Sequence, residues 1–150
     1  MLPIRYIFLA ILAPITGSLA SIEYMEQRYF TEESFTRISE YFNGIEDPGH
    51  RIILRSEKGR KTGHYVSFEV TKSYPVDHFK LEVFAHGAKE PTDYQFVPDA
   101  AIHPAKPIFL GLTGTDWLDK KEPPVAYKLS LVGKDGATLV SQRSFLWGDD

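Results

Sequence analysis

From residue 50 onward the apolar residues of this chain recur at every second position. In 64–70, Val66, Phe68 and Val70 alternate with Tyr65, Ser67 and Glu69. In 77–86, Phe79, Leu81, Val83 and Ala85 alternate with His78, Lys80, Glu82, Phe84 and His86. In 125–132, Val125, Tyr127, Leu129 and Leu131 alternate with Ala126, Lys128 and Ser130. One apolar and one polar face is the pattern of an antiparallel sheet lying with one side on a core. Shorter strands are predicted over 51–55, 94–97 and 108–112. A last strand over 137–147 puts Leu139, Phe145 and Trp147 in one phase, which Ser141 and Arg143 share. Seven strands separated by turn signals predict an all-β fold, an antiparallel sandwich.

The connectors agree with that reading. Gly133-Lys134-Asp135-Gly136 lies between two alternating runs, and an Asp-Gly pair supplies the positive φ of a tight hairpin. The segment 56–63 is read as a second hairpin loop. Ahead of the sandwich, Thr31–Gly44 has two competing readings. As a helix it has Thr31 as N-cap, Glu32 and Glu33 against the helix dipole, Gly44 as its stop, and Phe35, Ile38 and Phe42 on one face. As an irregular edge strand it draws on the β preference of its Thr, Ile, Tyr and Phe residues. The expected division is a leader over 1–20, a lead segment over 21–49 packed on the sandwich, and the sandwich over 50–150.

The stretch Pro124-Val125-Ala126-Tyr127-Lys128-Leu129-Ser130-Leu131 resembles the penultimate strand of immunoglobulin-like and fibronectin type III sandwiches. In that family a tyrosine hydroxyl at this place ties down the preceding crossover. The resemblance covers about residues 50–147 and implies an architecture, not an activity. The Cys…Trp…Cys pattern of true immunoglobulin domains is missing, because the chain has no cysteine.

The first twenty residues read as an address. Arg5 is the only charge before Glu23, and an apolar run from Tyr6 to Ile15 leads to Ser18 and Ala20. A positive start, a short apolar stretch and small residues three and one before a cut are the parts of a secretory signal peptide, with a mature start at Ser21. An uncleaved anchor is the alternative, but crossing takes about 20 apolar residues and Pro14, Gly17 and Ser18 interrupt this run. A lipid anchor through cysteine is excluded. With no disulfides and no glycosylation sequon (Asn43, the sole asparagine, is followed by Gly44-Ile45), a bacterial periplasmic or secreted protein is the expectation.

The formal net charge is −3, and removing residues 1–20 with Arg5 makes it −4. That balance argues against a nucleic-acid binder. Five histidines invite a metal hypothesis, yet His78 and His86 on one strand are about 26 Å apart and Glu82 and His86 about 13 Å. Neither an H-E-x-x-H nor a G-x-S-x-G motif occurs, so no catalytic, metal or cofactor residue is assigned. Gly59-Arg60-Lys61-Thr62 lacks the spacing of a phosphate loop.

Three features remain as contact candidates. The loop 55–64 carries Arg55, Lys58, Arg60 and Lys61 against one acid, Glu57, and reads as an anion contact or as a solvated, edge-protecting turn. Trp117 lies in a long polar loop with Asp116, Asp119 and Glu122. It can anchor a ligand or partner or fold back to cap the sandwich, while the three acids offer hard oxygens to calcium. Tyr65 and Phe84 fall out of phase with the core and are either exposed contact aromatics or covered by the lead segment. The leading expectation is a non-catalytic module that meets a protein or glycan outside the cytoplasm. Its rivals are a small exported hydrolase or metal-dependent enzyme and a purely structural accessory domain.

Overall fold

The computed structural model describes residues 21–35, 45–46, 48–99, 101–104, 106–117 and 122–148. They form two four-stranded sheets, as a β-sandwich requires. The strands are β1 (Ile22–Phe30), β2 (Ile52–Arg55), β3 (Gly63–Val70), β4 (His78–Phe84), β5 (Thr92–Phe96), β6 (Ile108–Thr113), β7 (Ala126–Val132) and β8 (Thr138–Arg143). The first sheet has the order β1-β3-β6-β2 and the second β5-β4-β7-β8.

The core follows the period of two. Val66, Phe68 and Val70 of β3 and Ile108 and Leu110 of β6 face Phe79, Leu81 and Val83 of β4 and Leu129 and Leu131 of β7, all buried. Phe68 and Phe79 meet edge to face between the sheets, with centroids 5.6 Å apart. Each such side chain contributes roughly 1.5–3 kcal/mol by leaving water. The β7–β8 hairpin turns where predicted, with Gly136 at φ +81° and the Gly136 N–H bonded to the Gly133 carbonyl.

Five expectations are corrected. The sandwich starts before residue 50, because Ile22–Phe30 is an edge strand antiparallel to β3. A period-two reading misses it because a bulge between Glu23 and Glu26 breaks the alternation, with Tyr24 at φ +53°. Of the predicted helix, the described part is a single 3-10 turn, Glu32–Ser34, and residues 36–44 lie outside the described residues. The sheets are not wholly antiparallel, since β2 runs parallel to β6. Finally, 56–63 is no hairpin loop: β2 and β3 lie on opposite sides of β6, so the loop arches over the end of β6. The last strand also stops at Arg143, four residues short of the expected Trp147.

Candidate functional site

The arch positions the site. Because β2 is parallel and β3 antiparallel to β6, the loop from Ser56 to Thr62 must pass over the carboxyl end of β6. There it is stitched to the chain leaving that strand. The Thr113 N–H donates to Ser56 Oγ at 3.0 Å, and the Thr113 hydroxyl donates to the Glu57 carbonyl at 3.1 Å. The Glu57 carboxylate accepts the Thr115 N–H at 2.7 Å and its hydroxyl at 3.1 Å. Those two donors, more than the distant Arg60 guanidinium at 3.7 Å, hold the Glu57 carboxyl below the ordinary carboxylate range.

Trp117 follows directly, so two loops more than fifty residues apart in sequence meet. With Tyr29 from the end of β1 they enclose a cleft of about 280 Å³, lined by Tyr29, Glu32, Arg60, Lys61, Gly114 and Trp117 among others. Trp117 is half-buried against the hydrophobic core, and its indole N–H donates to the Glu122 carbonyl at 2.9 Å. Beneath the cleft the His64 ring is buried. Tyr29 packs edge-on to it at 5.1 Å and Trp117 at 5.7 Å, so the imidazole sets the orientation of both rings. The Gln27 amide nitrogen lies 3.0 Å from His64 Nδ1, within hydrogen-bond distance.

The four basic residues of 55–64 therefore part company. Arg60 and Lys61 line the cleft, whereas Lys58 lines a separate cavity of about 440 Å³ with Leu54, Gln95 and Asp99. Arg55 is not a loop residue. Its guanidinium forms two bonds to Glu46, at 2.7 and 2.8 Å, and donates to Tyr65 Oη at 2.7 Å. Burial would lower its pKa, but the bonds to Glu46 and Tyr65 outweigh that and leave it raised. Arg55 is thus a structural cation, in correction of its expected contact role.

Of the two readings of Tyr65, the structure shows cover by the lead segment and not an exposed contact aromatic. The side chain faces away from the main core yet is completely buried, under Phe35 at 4.8 Å and Phe30 at 5.6 Å. Its hydroxyl also donates to the Lys61 carbonyl. Gly111 leaves the space for the ring, since a Cβ there would lie 2.4 Å from Tyr65 Cε1. Phe84 is half-buried on the other sheet, under Trp147 at 5.0 Å and not under the lead segment.

Asp116 is exposed outside the cleft. Tyr94 is raised in pKa, first by its own burial and then by the Asp116 carboxylate. Asp119 lies outside the described residues. Among the described residues no three His, Asp or Glu side chains cluster to hold a metal, and His50, His86 and His103 are on the surface, apart from the buried His64. Tyr29 and His64 belong to the cleft without any motif to mark them. Their only sequence signal is their adjacency to the strand ends that the arch brings together. Compared with known proteins, the chain matches no family model, no curated protein sequence and no solved structure.

Proposed function

We propose that this chain is an exported, non-catalytic binding module that takes an acidic saccharide in the cleft of Tyr29, Arg60, Lys61 and Trp117. One observation carries the reading: two aromatic rings and two cations from three separate segments line the same cleft. An aromatic side chain offers an apolar body to the C–H face of a sugar, and Lys and Arg supply donors to its carboxylate or sulfate. The rings are fixed in advance by His64, which limits the entropy lost on binding.

The immunoglobulin-like affinity is part of the proposal and is supported by strand order. β1, β3 and β6 against β4, β7 and β8 correspond to strands A, B and E against C, F and G, with β2 at the place of D but parallel to its neighbour. Export is supported by the leader-like composition of 1–20, and a cut after Ala20 would leave every described strand whole. Expression of the full chain in a bacterial host tests it. A periplasmic or secreted product beginning at Ser21 is expected, and a cytoplasmic product retaining Met1 refutes export.

Titration calorimetry of the chain 21–150 with sulfated, uronate-containing and neutral oligosaccharides tests the ligand. The acidic sugars are expected to bind at least about tenfold more tightly than the neutral ones, a difference of about 1.4 kcal/mol, and to weaken with salt. The double variant Arg60→Ala, Lys61→Ala should lose this preference with an unchanged melting temperature. Equal binding of acidic and neutral sugars, or an unaffected double variant, sinks the assignment.

A further inference from the structure

In the proposed site Arg60 and Lys61 meet an anion, yet an acid stands directly behind the cleft wall. Glu57 does not line the cleft, but its carboxylate touches both halves of the site. On one side it accepts the Thr115 N–H at 2.7 Å and the Thr115 hydroxyl at 3.1 Å, two residues before Trp117. On the other it lies 3.7 Å from the Arg60 guanidinium. By charge alone such a residue is a liability, since a carboxylate beside the cations repels an anionic ligand.

The chain is nonetheless shaped to admit it. Gly114, on the cleft wall itself, has φ +60°, and a Cβ there would fall inside the Glu57 carboxylate and 3.1 Å from Arg60 Cγ. Glycine both adopts that backbone region at little cost and leaves the space empty. The arch does not need the carboxylate for its own anchorage. The Thr113 N–H holds it through Ser56 Oγ, and the Thr113 hydroxyl through the Glu57 carbonyl. The Trp117 segment is placed differently. Its indole N–H bonds to Glu122 within the same loop, and its ring rests on His64. What ties Thr115 to the arch is the carboxylate.

We infer that Glu57 is a positioning residue of the cleft: it fixes the Trp117 wall against the Arg60 wall, so that this acid strengthens the binding of an anionic sugar. Hydrogen bonds to a carboxylate are stronger than those between neutral groups, and a wall fixed before the ligand arrives need not be ordered on binding. The inference rests on the acidic-saccharide reading for its ligand, while the geometry it claims exists in the free protein. The two roles open to Glu57 have effects of opposite sign. If it acts only as a charge, removing it tightens the binding of an anion. If it acts as a tie, removing it weakens that binding.

The test is titration calorimetry of the full chain with a sulfated oligosaccharide, beside nuclear magnetic resonance of the free protein. Glu57→Ala should weaken binding at least about fivefold, with a nearly unchanged melting temperature. Glu57→Gln removes the charge but keeps an acceptor for Thr115, and should bind at least as tightly as the unaltered chain. Gly114→Ala drives the carboxylate aside without deleting it and should also weaken binding, which decides the matter even if Glu57→Ala fails to fold. The double variant should bind no more weakly than the weaker single one, because both changes break the same tie. Tighter binding by Glu57→Ala, or equal weakening by Glu57→Gln and Glu57→Ala, overturns the inference. Failure of the unaltered chain to bind the sugar refutes the saccharide reading instead, and the free protein then decides. There Glu57→Ala should move the Trp117 indole resonance and speed exchange of the Thr115 amide, and Glu57→Gln should do neither. An indole resonance and an amide exchange rate indifferent to Glu57→Ala overturn the inference.

Discussion

The two sheets carry the same alternation of apolar and polar positions, yet their outer faces have opposite fates. On the first sheet the outward positions hold Tyr65, Phe109 and Arg55, and Phe30 and Phe35 close over them into a second, smaller core. On the second sheet the outward positions Lys80, Glu82 and Lys128 stay at the surface, with only Trp147 folded over Phe84 at one end. The period of a strand says which side chains share a face. Whether that face is wet depends on what another segment lays over it.

The first way to break this comparison is to remove the cover. Phe35→Ala deletes a side chain 1% exposed and in contact with Phe30, Tyr65 and the Arg55 guanidinium, and should cost about 3 kcal/mol, a fall in melting temperature on the order of 10 °C by calorimetry. A fall of only a degree or two would mean that the outer face of the first sheet is not a core. Gly111→Ala drives a methyl into the Tyr65 ring, itself held by Arg55 and the Lys61 carbonyl, and should cost about 2 kcal/mol in denaturant titration. The matching change on the second sheet, Lys80→Ala, should stay within about 0.5 kcal/mol, because its two carboxylate contacts are long and partly solvated.

The smallest effect concerns pH at the arch. The folded pKa of Glu57 is depressed by its Thr115 donors, so its contribution is fully present above the ordinary carboxylate pKa. It is lost as pH falls through the lower folded value. The Thr115 amide resonance should report that acid transition, and Glu57→Gln should abolish it while leaving neutral-pH behaviour nearly unchanged.

How much of this was legible in the sequence follows from the range of each signal. The seven strands from Ile52 to Arg143 were visible because alternation is local, and the turn at Gly136 because its chemistry is local. β1 was hidden by its bulge. The parallel pairing of β2 with β6 left no local trace, and so 56–63 read as a hairpin. From that one error the rest followed. Read as a hairpin, the loop keeps Arg60 and Lys61 away from Trp117. Read as an arch over β6, it brings them together. The cover over Tyr65 was one of two readings open in the sequence, and what decides it acts at a distance: Phe35 before it and the missing side chain of Gly111 forty-six residues after it.

The central claim is that the arch and the Trp117 loop form one binding surface. An amide-shift map of the chain 21–150 titrated with a sulfated oligosaccharide tests it most directly. The account predicts that Tyr29, the residues from Gly59 to Thr62 and those from Gly114 to Trp117 shift together along a single binding curve. Shifts confined to the Lys128–Arg143 face, or none in the arch at saturating sugar, would contradict it.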